Sequence, residues 1–113
     1  MESRSTSDPT PAVLVLNASL DLDLRENRAK ILHRAGFYTS SAENAEEVIF
    51  LAAWLRCPIV IVCHSFNQAE RRRIYDRIRE NAPGTTVILL NDFADSDPVV
   101  LIDTVKRALQ PRI

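Results

Sequence analysis

Cys63, His64 and Ser65 are three consecutive residues whose side chains can do chemistry. The thiol becomes a nucleophile and a redox centre when ionised, the imidazole titrates near neutral pH, and the hydroxyl both donates and accepts hydrogen bonds. They follow Ile59-Val60-Ile61-Val62, an uncharged, β-branched run with the composition of a strand buried on both faces. In open parallel sheets, ligands and chemistry sit just past the carboxyl ends of such strands. The triplet therefore stands on the expected functional edge. A Cys63–His64 catalytic pair is not expected, because neighbouring residues of a persisting strand point to opposite faces. The first reading of Cys63 is a small hydrophobe that closes a buried strand. A redox-sensing thiol is the alternative. His64 is read as a ring that hydrogen-bonds a neighbouring loop, with a pH-sensitive contact or a metal ligand beside Asp21, Asp23 or Asp92 as the alternative. Ser65 is read as a hydroxyl that satisfies backbone groups where the chain turns toward the next helix.

Elements of both kinds must position that triplet. Ala12-Val13-Leu14-Val15-Leu16 is a second continuous apolar run and reads as a first buried strand, ending at Asn17-Ala18-Ser19. Asp21 or Asp23 can cap a helix that reaches Ala35, with Leu24, Ile31, Leu32 and Ala35 on its inward face and Arg25, Glu26, Arg28, Lys30 and Arg34 elsewhere. Gly36 follows, where a left-handed C-cap is expected. Phe37-Tyr38-Thr39 reads as a short strand. Ser41 reads as the N-cap of a helix through about Arg56, with Ala45, Val48, Ile49, Ala52 and Leu55 inward. Pro58 ends it. A helix from about Gln68 to Asn81, a turn at Pro83-Gly84, a strand Thr86–Leu90 and a helix begun by Asp97-Pro98 complete the order. Strict β-α alternation argues for a parallel α/β sheet with right-handed crossovers.

Composition narrows the function classes. At 113 residues, 46% apolar and 26% charged, the chain suits one globular domain. Residues 1–11 read as a disordered N-terminal tail, with no apolar stretch that would make a secretory signal, and residues 12–110 as the domain. A net charge of -1 gives no global pull toward nucleic acid or a membrane, and no apolar run approaches the ~20 residues of a span. Two glycines, Gly36 and Gly84, exclude dinucleotide and P-loop fingerprints. Cys57 and Cys63 fit neither a disulfide framework nor a zinc spacing, so a reducing, cytoplasmic setting is expected. Arg71, Arg72, Arg73, Arg77 and Arg79 are interspersed with Glu70, Asp76 and Glu80, the pattern of a solvated helix face with intrahelical ion pairs more than of a phosphate-binding stripe. Phe50 and Trp54, spaced i, i+4 and offset from the core stripe, read either as cover for the flank of the sheet or as a candidate interface.

Over about residues 12–109 the chain resembles a response-regulator receiver domain, CheY-like in kind. The resemblance rests on the strand Ala12–Leu16, Arg25 near the start of the first helix, Gly36-Phe37, Ser40-Ser41-Ala42 followed by Glu46-Glu47-Val48, Pro58 through Cys63, and Arg79-Glu80-Asn81-Ala82-Pro83-Gly84 followed by Val87–Leu90. It implies a flavodoxin-like three-layer sandwich with a four- or five-stranded parallel sheet, abbreviated after strand four. In receivers an acidic pair after strand one holds magnesium, and strand three ends in the phosphoacceptor aspartate. Here Asn17-Ala18 or Ser19-Leu20 stands at the acidic pair, Asp21 lies beyond it, and Cys63 holds the phosphoacceptor position. Asn91 stands at the switch hydroxyl, and the lysine-proline after strand five is missing. Seven residues, Asn91 to Asp97, stand where a receiver fits a helix and a strand.

Aspartyl phosphorylation needs a carboxylate nucleophile and a divalent cation on hard oxygen ligands. The resemblance with those changes implies a degenerate pseudo-receiver, not an enzyme, with neither cofactor nor metal. Asn17, Ser19, Asp21, His64, Ser65 and Asn91 then line a former active-site edge around Cys63. The implied partners are signalling proteins: a histidine kinase, a receiver or a downstream regulator. A homodimer stays open beside the monomer. The chain stops at Pro111-Arg112-Ile113, so no attached DNA-binding output domain is expected. Two other readings stand beside this one: a thiol-based switch or enzyme using Cys63, and a small-ligand or metal module at the strand-end edge.

Overall fold

The computed structural model describes residues 13–90 and 97–109. Eight elements alternate along the chain: β1 (Leu14–Ala18), α1 (Leu22–Arg34), β2 (Tyr38–Ala42), α2 (Ala45–Trp54), β3 (Ile59–Val62), α3 (Gln68–Asn81), β4 (Thr86–Leu89) and α4 (Pro98–Leu109). The four strands form one parallel sheet in the order β2-β1-β3-β4. This is the flavodoxin-like α/β fold that the sequence implied, with four strands among the described residues. Residues 91–96, where a fifth strand was left open, lie outside the described residues, as does the 1–11 tail.

The strand order dictates the layers. From β1 the chain crosses one way to β2, then back past β1 to β3 and on to β4. Crossovers of one hand that run in opposite directions must place their helices on opposite faces. Accordingly α2 and α3 cover one face, packing on Leu16, Ala18, Val60 and Val62. The opposite cluster joins Val15, Ile59 and Ile61 to Leu32 of α1 and to Leu101 and Val105 of α4. β3 is buried at all four positions. Fully burying one such β-branched side chain stabilises by about 1.5–3 kcal/mol, which is why this run tolerates no polar residue. The direction of the connections reverses between β1 and β3, and a topological switch point of this kind opens a crevice at the carboxyl ends of the two strands.

Local signals fix the helix ends. Asp21 caps α1, its carboxylate accepting from the Leu24 N–H at 3.0 Å. Gly36 takes φ +96° just after α1, where a side chain would be strained. α2 departs from the expected start. Its N-cap is Asn44, not Ser41: Asn44 Oδ1 accepts from Glu47 N–H at 2.9 Å, and Glu47 Oε1 accepts in return from Glu43 N–H at 2.8 Å. That reciprocal capping pattern satisfies two donors and frees Ser40 and Ser41 to extend β2 to Ala42, in register with Asn17 and Ala18 of β1. Two further expectations about α1 fail: Ala35 is an exposed C-cap, and Arg28 is buried. On α3 the ion pairs Arg72–Asp76 and Arg77–Glu80 lie along the helix as expected, while Arg73 reaches across to Glu46 of α2.

Candidate functional site

The carboxyl ends of β1 and β3 bring Asn17, Ser19, Cys63 and Ser65 together. Cys63 N–H donates to Ala18 O at 3.0 Å, which carries the pairing one residue past the strand. The chain then turns, and Phe66 N–H returns to Cys63 O at 3.2 Å. Because β3 ends at Val62, strand alternation no longer governs the next residues. Cys63 Sγ lies 3.8 Å from His64 Nδ1 and accepts from the Ser65 N–H at 3.4 Å. The expectation that thiol and imidazole stay apart is therefore corrected: they touch, because the strand stops one residue short of Cys63.

Ser65 satisfies backbone, as its hydroxyl suggested, but on the neighbouring loop. Its Oγ accepts from Leu20 N–H at 2.9 Å and lies 3.3 Å from Ser19 Oγ. The Leu20 N–H lies across the switch point, so the bond ties the β3–α3 turn to the β1–α1 loop. Ser19 Oγ in turn accepts from Asp21 N–H at 3.1 Å. Asn17 is fully buried, and its Nδ2 donates to Arg25 O at 2.7 Å, while its Oδ1 has no hydrogen-bond partner among the described residues. Arg25 continues the network, donating to Ser19 O at 3.0 Å and lying 3.8 Å from Glu43. Asn91 and Asp92, the remaining edge candidates, lie outside the described residues.

Arg28 is the site residue that sequence reasoning placed wrongly. Its side chain is 0% exposed, the largest fully buried one among the described residues, and its guanidinium is among the groups that draw the Cys63 thiol down. The signal was available: Leu24, Arg28 and Leu32 are spaced i, i+4, i+8, so Arg28 sits inside the core stripe of α1. Its effect on Cys63 is electrostatic. Burial alone would push this thiol up. Hydrogen bonds from Ser19, Ser65 and Arg28, with the Ser65 backbone N–H, outweigh burial and bring it below the ordinary thiol value. Cys57, equally buried but without cationic company, is pushed up by desolvation. Both cysteines are free thiols.

This donor set does not fit a magnesium ion. Asn17 is neutral and turned to α1, Ser19 is neutral, and the Asp21 carboxylate is committed to its helix. Among the described residues no three His, Cys, Asp or Glu side chains gather as a metal would require. Asp21 and His64, expected at one edge, are not brought into a shared ligand set. Phe50 and Trp54 belong to a different surface. They are 61% and 71% exposed and stack on each other with centroids 5.8 Å apart, so they do not cover the sheet.

No helix among the described residues is long and apolar enough to cross a membrane. No family model matches the chain, and no curated protein does. Solved structures do. The chemotaxis protein CheY4 of Vibrio cholerae superposes with a TM-score of 0.69 at 16% identity, over 88% of this chain and all of that one. A de novo designed Rossmann 2x3 fold protein superposes with a TM-score of 0.60 at 13% identity, over 91% of this chain and 96% of the design. At such identities the likeness is one of architecture, and the chain is similar to a chemotaxis receiver in fold: a flavodoxin-like α/β sandwich with its switch-point crevice between β1 and β3.

Proposed function

We propose that the protein is a pseudo-receiver, a signalling module that works through protein–protein contacts without aspartyl phosphorylation. One observation carries the reading: at the strand end where a receiver has its phosphoacceptor stands a fully buried thiol, and the equally buried Asn17 and Ser19 stand where a receiver has its acidic pair. A thiol cannot form an acyl phosphate, and the neutral Asn17 and Ser19 offer a cation no carboxylate. The hydrogen bond from Leu20 N–H to Ser65 Oγ and the Ser19–Ser65 hydroxyl contact join the two loops across the strand ends, which favours a constitutive conformation over a switched one. Its partners in this reading are a histidine kinase, a receiver or a downstream regulator in a cytoplasmic two-component or phosphorelay system. Incubation with acetyl phosphate and magnesium, followed by intact-mass measurement, tests it. The unmodified mass is expected, and a stable adduct of one phosphoryl group refutes it.

A second reading rests on the Cys63 surroundings. Cationic and hydroxyl donors that lower a thiol are the environment of a reactive cysteine, and His64 touches the sulfur. In this reading peroxide oxidises the thiolate to a sulfenic acid, one peroxide oxygen passing to sulfur and the other leaving as hydroxide. Trapping with a sulfenic-acid-specific nucleophile after peroxide treatment separates the two readings. Modification of Cys63 in the folded protein supports the redox switch, and none supports the pseudo-receiver.

A further inference from the structure

The two aromatics of α2 lie outside the core. The helix's inward residues Ala45, Val48 and Ala52 are buried, yet Phe50 and Trp54 point to solvent and stack on each other with ring planes 13° apart. They form a flat aromatic plate, and large exposed aromatics of this kind are enriched at the centres of protein interfaces. Charge is arranged around the plate in a definite way. Glu43, Glu46 and Glu47 lie at its amino-terminal end, Arg56 lies just past its carboxyl end, and no basic residue stands between them. Arg56 is exposed, holds φ +51°, and has no carboxylate partner among the described residues.

That pattern is complementary to itself. Midway between Phe50 and Trp54 is Ala52. Midway between Glu47 and Arg56 falls between Leu51 and Ala52, and midway between Glu46 and Arg56 is Leu51. The centres agree within one residue, about 1.5 Å along a helix. An antiparallel pair of α2 helices about a twofold axis level with Ala52 therefore lays each Phe50 on the other copy's Trp54. The same operation brings each Arg56, just past the helix end, level with position 48 of the other copy, one residue from Glu47 and two from Glu46, a separation of about 1.5–3 Å along the axis that long side chains span. Isologous interfaces have this property: one patch matches itself on rotation. The existing contacts leave room for it. Glu46 pairs with Arg73 and Glu47 caps its own helix, yet the Glu46 and Glu43 side chains are still 74% and 67% exposed.

We propose that α2 is a homodimerisation surface whose occupant is a second copy of this chain, docked antiparallel through Phe50 and Trp54. Two partly exposed aromatics supply on the order of 250 Å² per copy, well short of the ~800 Å² per partner of a standard stable interface. The dimer is therefore weak, concentration-dependent and salt-sensitive.

Sedimentation equilibrium from micromolar to about millimolar protein, with Trp54 fluorescence as a second readout, tests this; Trp54 is the chain's only tryptophan. Reversible dimerisation with a blue shift of the emission is expected, and Trp54→Ala should weaken it at least tenfold. Glu46→Lys alone and Arg56→Glu alone should each be monomeric. An equimolar mixture of those two variants should dimerise, because each substituted position then faces its opposite charge. A monomer throughout the range, association indifferent to Trp54→Ala, or a mixture no more associated than its components overturns the proposal. All the altered side chains are exposed, so circular dichroism should report an unchanged fold in each variant.

Discussion

Replacing Arg28 with methionine removes the buried cation beside Cys63 while keeping a long apolar stem in the core of α1. The thiolate then loses one of its three side-chain donors, the others being Ser19 and Ser65. A hydrogen bond between a charged donor and a charged acceptor contributes about 1.5–3 kcal/mol. At a pH below the thiol's own midpoint, that loss lowers the thiolate fraction by roughly 10- to 100-fold, since about 1.4 kcal/mol is a factor of ten. The measurement is the thiolate ultraviolet absorbance titrated against pH in a Cys57→Ala background, so that one cysteine reports. Cys57 is pushed up by burial and would otherwise overlap the upper limb. The Arg28→Met variant should titrate at distinctly higher pH than its parent, and Arg28→Lys should fall between, because an ammonium keeps the charge and loses the planar fork. Superimposable titrations in parent and Arg28→Met would refute the pairing of guanidinium and thiol.

The same pair gives stability a sign. A thiol lowered on folding contributes stability that is complete above its unfolded value and is lost as pH falls through the folded value. Urea unfolding of the Cys57→Ala protein should therefore show stability rising with pH up to the ordinary thiol range, about 8.5, by an increment that Cys63→Ala abolishes. Asn44→Ala and Asn67→Ala remove the side-chain caps of α2 and α3, and each should cost about 1 kcal/mol in chemical denaturation. Ile61→Ala, at a fully buried position of the central strand, should cost about 2–5 kcal/mol. Cys63→Asp restores a carboxylate without its metal ligands and should still show no phosphoryl adduct by intact mass after acetyl phosphate and magnesium.

The order and kind of the elements were legible because buried parallel strands advertise themselves as unbroken apolar runs, as Ile59–Val62 does, and helices by apolar residues one turn apart, as Ile74 and Ile78 are in Gln68–Asn81. β2 was harder to see. Tyr-Thr-Ser-Ser-Ala has no apolar run, since an edge strand holds its place through pairing with β1, a long-range contact. Ser41 competed with Asn44 for the cap, and the signal that decides between them is the Asn44–Glu47 spacing, whose Glu47 carboxylate accepts from Glu43 N–H. Arg28 looked solvent-facing because charge normally outweighs position in a helical stripe. It is tolerated inside because Cys63 gives the guanidinium a polar, ionisable neighbour. The approach of Cys63 to His64 depended on where β3 stops, and strand ends are the least determined feature of any apolar run. For Phe50 and Trp54 the offset from the core stripe was legible and left two readings open: the α2 face toward the sheet is filled by alanines and Val48, which leaves the aromatics outside.

The most direct measurement is an amide correlation spectrum of the protein titrated with magnesium and beryllofluoride, a mimic of the phosphoryl group. A pseudo-receiver with a thiol at the strand end and no acidic pair beside it predicts unmoved Ser19, Cys63 and Ser65 amides at saturating ligand. Saturable shifts confined to those amides would contradict it, because they would show that the crevice between β1 and β3 still binds the metal and phosphoryl group that a working switch requires.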